Sequence, residues 1–322
     1  MATGNCRSSE SVIIYLAFAD SMRARNIGSN LSIYMFVGFV LGLALGDPTG
    51  MSATLSMIAL GIIMTLSMSD MVIGFGKAGS AIVEGLTPAL MTFALLTPMY
   101  IVASFFFEGD LRLGWMLTAA MPAAVAIAPY SNRMKGDLRL ALRGEIAIYL
   151  IALALTPAIA IVALNATVEV IELLKILLLL IIAPLALSRI VRRARLKEKT
   201  RGAAINITFL FFSLIVVGAN RDIFLRDPAT IAALAAVSFA VVFGLGLLVD
   251  RMLKCSESPR RKTLTMFSTL KNTGLAIAVA LSLNVPEMAV PPTMLLIFEM
   301  LWVIFLSSWK YNNRGASSRA PT

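Results

Sequence analysis

Three charged residues lie inside long apolar stretches of this 322-residue chain. Lys271 is in FSTLKNTGLAIAVALSL, Glu145 is in ALRGEIAIYLIALAL, and Glu299 is in TMLLIFEMLWVIFL. If these stretches cross a bilayer, a lone charge at their centre costs at least about 2.5–3.5 kcal/mol on insertion scales, and such residues usually mark ion or substrate pathways. The three residues are therefore the first candidates for a functional site.

The composition indicates that these stretches do cross a bilayer. The chain is 58% hydrophobic and only 14% charged, with a mean hydropathy of +0.85, whereas soluble domains carry about a quarter charged residues. Apolar runs such as IYLIALALTPAIAIVAL approach the roughly 20 residues that a membrane helix needs. We predict a polytopic α-helical membrane protein, because a soluble two-domain protein would have too little polar surface.

The apolar pattern predicts ten membrane-spanning helices. They cover residues 31–46, 52–68, 80–107, 113–132, 137–164, 169–190, 203–219, 229–252, 261–283 and 289–309. Basic residues cluster before the first helix and after each even-numbered helix, most densely at 189–201 and 251–262. Since cytoplasmic loops collect Lys and Arg, both termini are expected in the cytoplasm, with the protein integral to the inner or plasma membrane.

The two ends of the chain are not expected to span. Residues 1–30 contain only the short apolar run VIIYLAFA, which fits a cytoplasmic or interfacial segment better than a signal peptide. Residues 311–322 are polar and form the predicted cytoplasmic tail.

Ten helices divide into two groups of five, 31–165 and 166–310. Because five is odd, the second group would be inserted upside down relative to the first, as in inverted-repeat transporters with a substrate site near the midplane between broken helices. The fourth predicted helix contains Pro122, and the ninth contains the polar sequence 271–274. These two interruptions fall at matching places in the two halves.

Several functional classes are disfavoured. The chain has no histidine, and its two cysteines, Cys6 and Cys255, lie outside the predicted helices without metal-ligand spacing. No nucleophile elbow or phosphate-binding loop is present, so we expect neither an enzyme nor a metal or cofactor site. The net charge of +10 is explained by cytoplasmic loops rather than by nucleic-acid binding.

The interrupted segments carry a family resemblance. Pro122, Lys135-Gly136 and Thr156-Pro157 occur in the spacing of one motif, and Asn272-Thr273-Gly274 closes another. Together with Thr97-Pro98 and LGIIMTLSMSDM, they make residues 31–310 similar to the bile acid:sodium symporter family. The resemblance implies an all-α fold with a panel domain and a core domain, crossed broken helices four and nine, and transport of small organic anions by alternating access. It places Asn272 and Thr273 beside the substrate.

The chain departs from the family where sodium would bind. The positions that hold sodium in the family correspond here to Phe93, Ile127, Ala128, Ala141, Glu145, Phe267 and Lys271. Small hard cations require several oxygen ligands each. Most of these side chains offer none, so both sodium sites are expected to be absent.

We interpret Lys271 as a built-in substitute for a sodium ion. At 1.5 Å per residue, Lys271, Glu145 and Glu299 lie roughly 12–15 Å from the ends of their helices, near the middle of a core about 30 Å thick. Glu145 is the expected counter-ion, and transport would then be independent of sodium. A purely structural ion pair is the alternative. Proton coupling is another, because two glutamates facing one lysine leave one acid available for a proton.

Three other functions remain open at this point. Sodium-coupled transport of an organic anion would require rearranged ion sites. A non-transporting sensor or scaffold would explain the lost sodium ligands. A metalloid exporter is disfavoured, since it would need a membrane-buried cysteine thiolate, and neither Cys6 nor Cys255 is in a predicted helix.

Overall fold

The computed structural model describes residues 31–47, 50–69, 78–164, 170–194 and 196–308. In this part of the chain the structure is helical, with one isolated β-bridge and no strand, which confirms the all-α class. The predicted segments 1–30 and 311–322 lie outside the described residues, as do Cys6 and the boundary at 165–166.

The described helices begin and end close to the predicted segments. In chain order they are α1 (Leu31–Leu45), α2 (Ser52–Met68), α3 (Ala78–Ala89), α4 (Thr97–Ser104), α5 (Gly109–Ala120), α6 (Ile127–Arg133), α7 (Leu138–Leu164), α8 (Val170–Arg193), α9 (Glu198–Ala219), α10 (Arg221–Arg226), α11 (Pro228–Phe239), α12 (Leu245–Met252), α13 (Ser258–Phe267), α14 (Thr273–Ser282) and α15 (Val290–Ser308). A 3₁₀ turn, Pro286–Ala289, leads into α15.

Within the described residues, four helical segments are long and apolar enough to cross a membrane: Val83–Ser104, Glu198–Ala219, Pro228–Met252 and Pro286–Ser307. Large apolar side chains also point outward, and Phe36, Phe106 and Val162 are 68%, 72% and 76% exposed. A soluble monomer rarely exposes so much apolar surface. The length and composition of these helices are those of a helical membrane protein.

The helices pack as two groups. In the first, α9 lies along α1 and also contacts α2, which contacts α8. Glycines permit this approach, because a Cβ on Gly38 or Gly218 would collide with a backbone carbonyl of the neighbouring chain segment. In the second group, α7 packs on α3 and α5, and α15 packs on α11 and α14. Contacts between α2 and α14 join the two groups.

Two pairs of short helices are separated by extended chain, and these extended segments cross. The first lies between α5 and α6, and the second lies between α13 and α14. An antiparallel bridge joins Ala123 to Lys271. The N–H of Asn272 donates to Pro122 O at 2.8 Å, and the N–H of Ala124 donates to Leu270 O at 3.2 Å. The interruptions expected at Pro122 and at 271–274 are therefore in direct contact.

Three backbone features recur in the same order in the two halves of the chain: a π-helical segment, the interruption, and a Schellman closure of the helix that follows it. A π-helical segment, Leu90–Leu96 or Ala240–Gly244, precedes each interruption. After each second short helix, a residue with φ 55°, Lys135 or Asn284, closes the helix. Both closures have the paired hydrogen bonds of a Schellman motif, such as Gly136 N–H to Ser131 O at 2.7 Å.

Candidate functional site

The Lys271 side chain is fully buried and all three of its N–H donors are used. Its Nζ donates to Thr97 Oγ1 at 2.8 Å, to Ala119 O at 2.9 Å and to Met121 O at 2.6 Å. The ring of Phe93 lies 5.1 Å from Nζ. Ala119 and Met121 are at the C-terminal end of α5, where carbonyls lack helical partners and carry partial negative charge. The ammonium group therefore caps this helix end.

The expected pair between Lys271 and Glu145 does not form. Among the described side chains, no hydrogen bond or ion pair joins the two residues. Glu145 Oε1 instead accepts the N–H of Ala128 at 2.8 Å, in the first turn of α6. The counter-ion prediction was wrong because the lysine side chain reaches the end of α5, whereas the glutamate on α7 reaches the start of α6.

Glu299 is the carboxylate that contacts the second interruption. Its Oε1 accepts the backbone N–H of Lys271 at 2.9 Å and the Tyr100 hydroxyl at 3.3 Å. Its Oε2 accepts the Thr273 hydroxyl at 3.2 Å. One side chain on α15 thereby holds the residues on both sides of Asn272.

Asn272 connects the start of α14 to the first interruption. Its Oδ1 accepts the N–H of Leu275 at 3.1 Å, which is an ordinary helix N-cap. Its Nδ2 donates to the Tyr149 hydroxyl at 2.9 Å, and that hydroxyl donates to Ala123 O at 3.2 Å. A chain of side-chain hydrogen bonds thus joins α7, the segment before α6 and the segment before α14.

A small cavity of about 60 Å³ lies between the crossing and the first group of helices. Its polar lining comes mainly from the second interruption and α15: Lys271, Asn272, Thr273, Gly274 and Glu299. Apolar side chains on α1, α2 and α9 face them: Met35, Leu60, Ile63 and Phe209. A space of this size accommodates a few water molecules or a compact ligand.

Gly274 supplies both space and a hydrogen-bond donor at this cavity. A Cβ there would lie 3.1 Å from Leu60 Cδ1, so any larger residue would narrow the gap to α2. The described hydrogen bonds at the start of α14 use the N–H groups of Thr273, Leu275 and Ala276 but not that of Gly274. A free N–H at a helix N-terminus favours a negatively charged ligand.

The structure brings most of the predicted site residues together. Lys271, Asn272, Thr273, Gly274 and Glu299 line one cavity, and Pro122 contributes a carbonyl to the crossing beside it. Glu145 is not among the residues that line the cavity.

Three residues at this site were missed as functional candidates: Thr97, Tyr100 and Tyr149. Tyr149 follows Glu145 by four residues, so both lie on the same side of α7, and this spacing could have drawn attention to it. The Thr97-Pro98 pair contributed to the family resemblance, but the hydroxyl of Thr97 was given no role.

No protein-family model matches the chain, and no curated protein matches its sequence. Within the described residues, no group of three or more His, Cys, Asp or Glu side chains could hold a metal ion.

Proposed function

We propose that this protein is a secondary transporter of a small organic anion that works without sodium. The observation that carries the proposal is the burial of the Lys271 ammonium group among Thr97 Oγ1, Ala119 O and Met121 O, beside a crossing of two interrupted helices. Interrupted helices that enclose a small cavity with a few polar groups in its lining are typical of transporter substrate sites.

The proposed architecture has ten membrane-spanning segments in two inverted five-helix repeats, with both termini in the cytoplasm. The recurring π-helical segments, interruptions and Schellman closures support a repeat. The two packing groups would act as a panel (α1, α2, α8 and α9) and a core, moving against each other in alternating access. The resemblance to the bile acid:sodium symporter family points to the same arrangement.

Lys271 is proposed to replace one sodium ion. A hydroxyl and two main-chain carbonyls are oxygen ligands of the kind that a hard cation takes. An ammonium group at 2.6–2.9 Å from all three would supply a positive charge as part of the chain itself. Glu299 is the buried carboxyl group that contacts Lys271, through the backbone N–H and not through the ammonium group. Anion binding would then have no requirement for a dissolved cation.

The cavity favours a compact anion with a single negative charge. Gly274 N–H, the amide of Asn272 and the N-terminus of α14 offer positive potential to a carboxylate. Glu299 lines the same cavity, and its carboxylate makes each negative charge on a ligand costly, which favours a monoanion over a dianion. The apolar side chains on α1, α2 and α9 suit an aliphatic body. A small aliphatic monocarboxylate meets all three conditions.

The test is counterflow of labelled small monocarboxylates in proteoliposomes, with sodium or with potassium as the only alkali cation. We expect equal wild-type activity in both salts and at least a tenfold loss in Lys271→Met. Lys262→Met is the matched control, because Lys262 is partly buried and, like Lys271, donates to a main-chain carbonyl, Met134 O at 3.1 Å, but outside the cavity. Activity that rises steeply with sodium would instead indicate sodium-coupled transport with rearranged ion sites.

A non-transporting sensor is the second candidate, favoured by the small volume of the cavity. A sensor would show a ligand-dependent rise in the melting temperature of detergent-purified protein, since a ligand of the native state stabilises it, but no counterflow. A metalloid exporter is not proposed, because Cys255 is exposed beyond α12 and is not among the residues that line the cavity.

A further inference from the structure

The buried charges of the described residues do not balance. Three charged side chains are buried in this part of the chain: Lys271, Glu145 and Glu299, with exposures of 0%, 0% and 4%. One cation and two carboxylates sum to a net negative charge. An uncompensated buried charge is strongly destabilising, so neutralising one carboxyl group with a proton would balance the set.

The hydrogen bonds distinguish the two carboxyl groups. Glu299 accepts three hydrogen bonds, including the backbone N–H of Lys271, and both of its oxygens are used. Glu145 accepts one, from Ala128, and its Oε2 is buried without a partner. A buried polar atom with no partner is costly, and a full negative charge on it is more so. The unpaired oxygen of Glu145 is therefore the place for the proton.

The other titratable groups near α7 do not supply a partner for that oxygen. The described titratable or charged side chains on α7 and on the elements packed against it are Glu84, Asp110, Arg112, Tyr130, Arg139, Arg143, Tyr149, Lys175, Arg189, Arg192, Arg193, Arg260, Arg261, Lys262 and, at the crossing, Lys271. Arg143 pairs with Glu84, and Lys262 donates to a carbonyl at the end of α6. The Tyr149 hydroxyl donates to Ala123 O.

We propose that Glu145 is a proton-binding site and that its proton accompanies the organic anion in transport. This inference rests on the proposed function and identifies the coupling ion. Glu145 contacts Ala128 after the first interruption, and Tyr149, one turn along α7, contacts Ala123 before it. A proton on the Glu145 carboxyl group makes its Oε1 a weaker acceptor for the Ala128 N–H. The charge on Glu145 therefore alters the contact between α7 and the crossing.

The proton site can be tested without measuring transport. Infrared spectra of the purified full-length protein are recorded at a series of increasing pH values. They should show the carbonyl stretch of a buried protonated carboxyl group. We expect this band to be absent in Glu145→Gln, whose amide imitates the neutral acid, and to persist in Glu299→Gln. Glu145→Asp should shift the band rather than remove it, and serves as the informative variant if Glu145→Gln does not fold.

The second part of the experiment tests proton coupling during transport, with a pH-sensitive dye inside proteoliposomes. During net uptake of the monocarboxylate that gives counterflow, wild type should also take up protons, whereas any net uptake that remains in Glu145→Gln should show no carrier-linked proton uptake and no pH dependence. A band that disappears only in Glu299→Gln, or is missing from wild type at every pH, would overturn the proton site while leaving sodium-independent transport intact. A Glu145 band without proton uptake during net uptake of the monocarboxylate would overturn the coupling.

Discussion

At the scale of single residues, three buried polar groups of the site each contact the end of an interrupted helix. Lys271 caps the C-terminal end of α5, Asn272 caps the N-terminus of α14, and Glu145 contacts the first turn of α6. Each helix end has the partial charge that suits its partner. The polar side chains therefore compensate the main chain where regular helical hydrogen bonding stops.

Tyr149→Phe should weaken the crossing without removing any charge. The change deletes one acceptor for Asn272 and one donor for Ala123, while the ring stays in place. At about 0.5–1.5 kcal/mol per hydrogen bond, we expect a lower melting temperature in detergent and, if an anion gives counterflow as proposed, a several-fold higher half-saturation concentration for it. Tyr34→Phe on α1 is the control. Equal behaviour of the two variants would show that the hydroxyl has no positioning role.

How far the sequence predicts this site depends on which residues are considered. The polar sequence 271–274 within an apolar stretch correctly marked the second interruption. The partner of Lys271 could not be predicted, because regular helical spacing stops at residues 268–272 and a long lysine side chain can turn toward several elements. A composition-based analysis also gives no weight to backbone acceptors, yet two of the three groups that hold Nζ are carbonyls.

At the scale of helices, some predicted segments coincide with single helices of the structure, and others are divided by extended chain or by a change of helix type. The segment predicted at 137–164 is found as α7, Leu138–Leu164. The segment predicted at 80–107 is instead divided by a π-helical stretch before Thr97. Apolar composition fixes the length of a membrane helix, but it does not distinguish 3.6 residues per turn from a local π-bulge.

Gly38→Ala should loosen the packing of α1 against α9. A Cβ at position 38 would collide with Leu210 O, whereas a Cβ on Gly61 of α2 would meet nothing within 4 Å. We expect Gly38→Ala to lower the melting temperature by several degrees and Gly61→Ala to leave it unchanged or slightly raised, since alanine favours helix over glycine. If both variants melted at the wild-type temperature, close backbone contact between α1 and α9 would not be needed.

At the scale of the whole molecule, the distribution of basic residues predicts which loops face the cytoplasm. Cys255 is exposed in the basic loop between α12 and α13. In a Cys6→Ser background we expect a membrane-impermeant maleimide to label it only after cells are permeabilised. Glu287→Cys, placed in a Cys6→Ser, Cys255→Ser background, should be labelled in intact cells, because Glu287 is exposed on the proposed opposite side. The reverse pattern would invert the topology.

The contacts of Lys271 also constrain how the protein is made. The groups that surround its ammonium lie more than a hundred residues earlier in the chain, on α4 and at the end of α5. When the ninth predicted helix leaves the ribosome, its lysine must reach a site built by the first half of the protein. A lone lysine in the hydrocarbon core costs at least about 2.5–3.5 kcal/mol, so we expect the second half to become stable in the lipid only when it packs against the first, which couples membrane insertion to tertiary assembly.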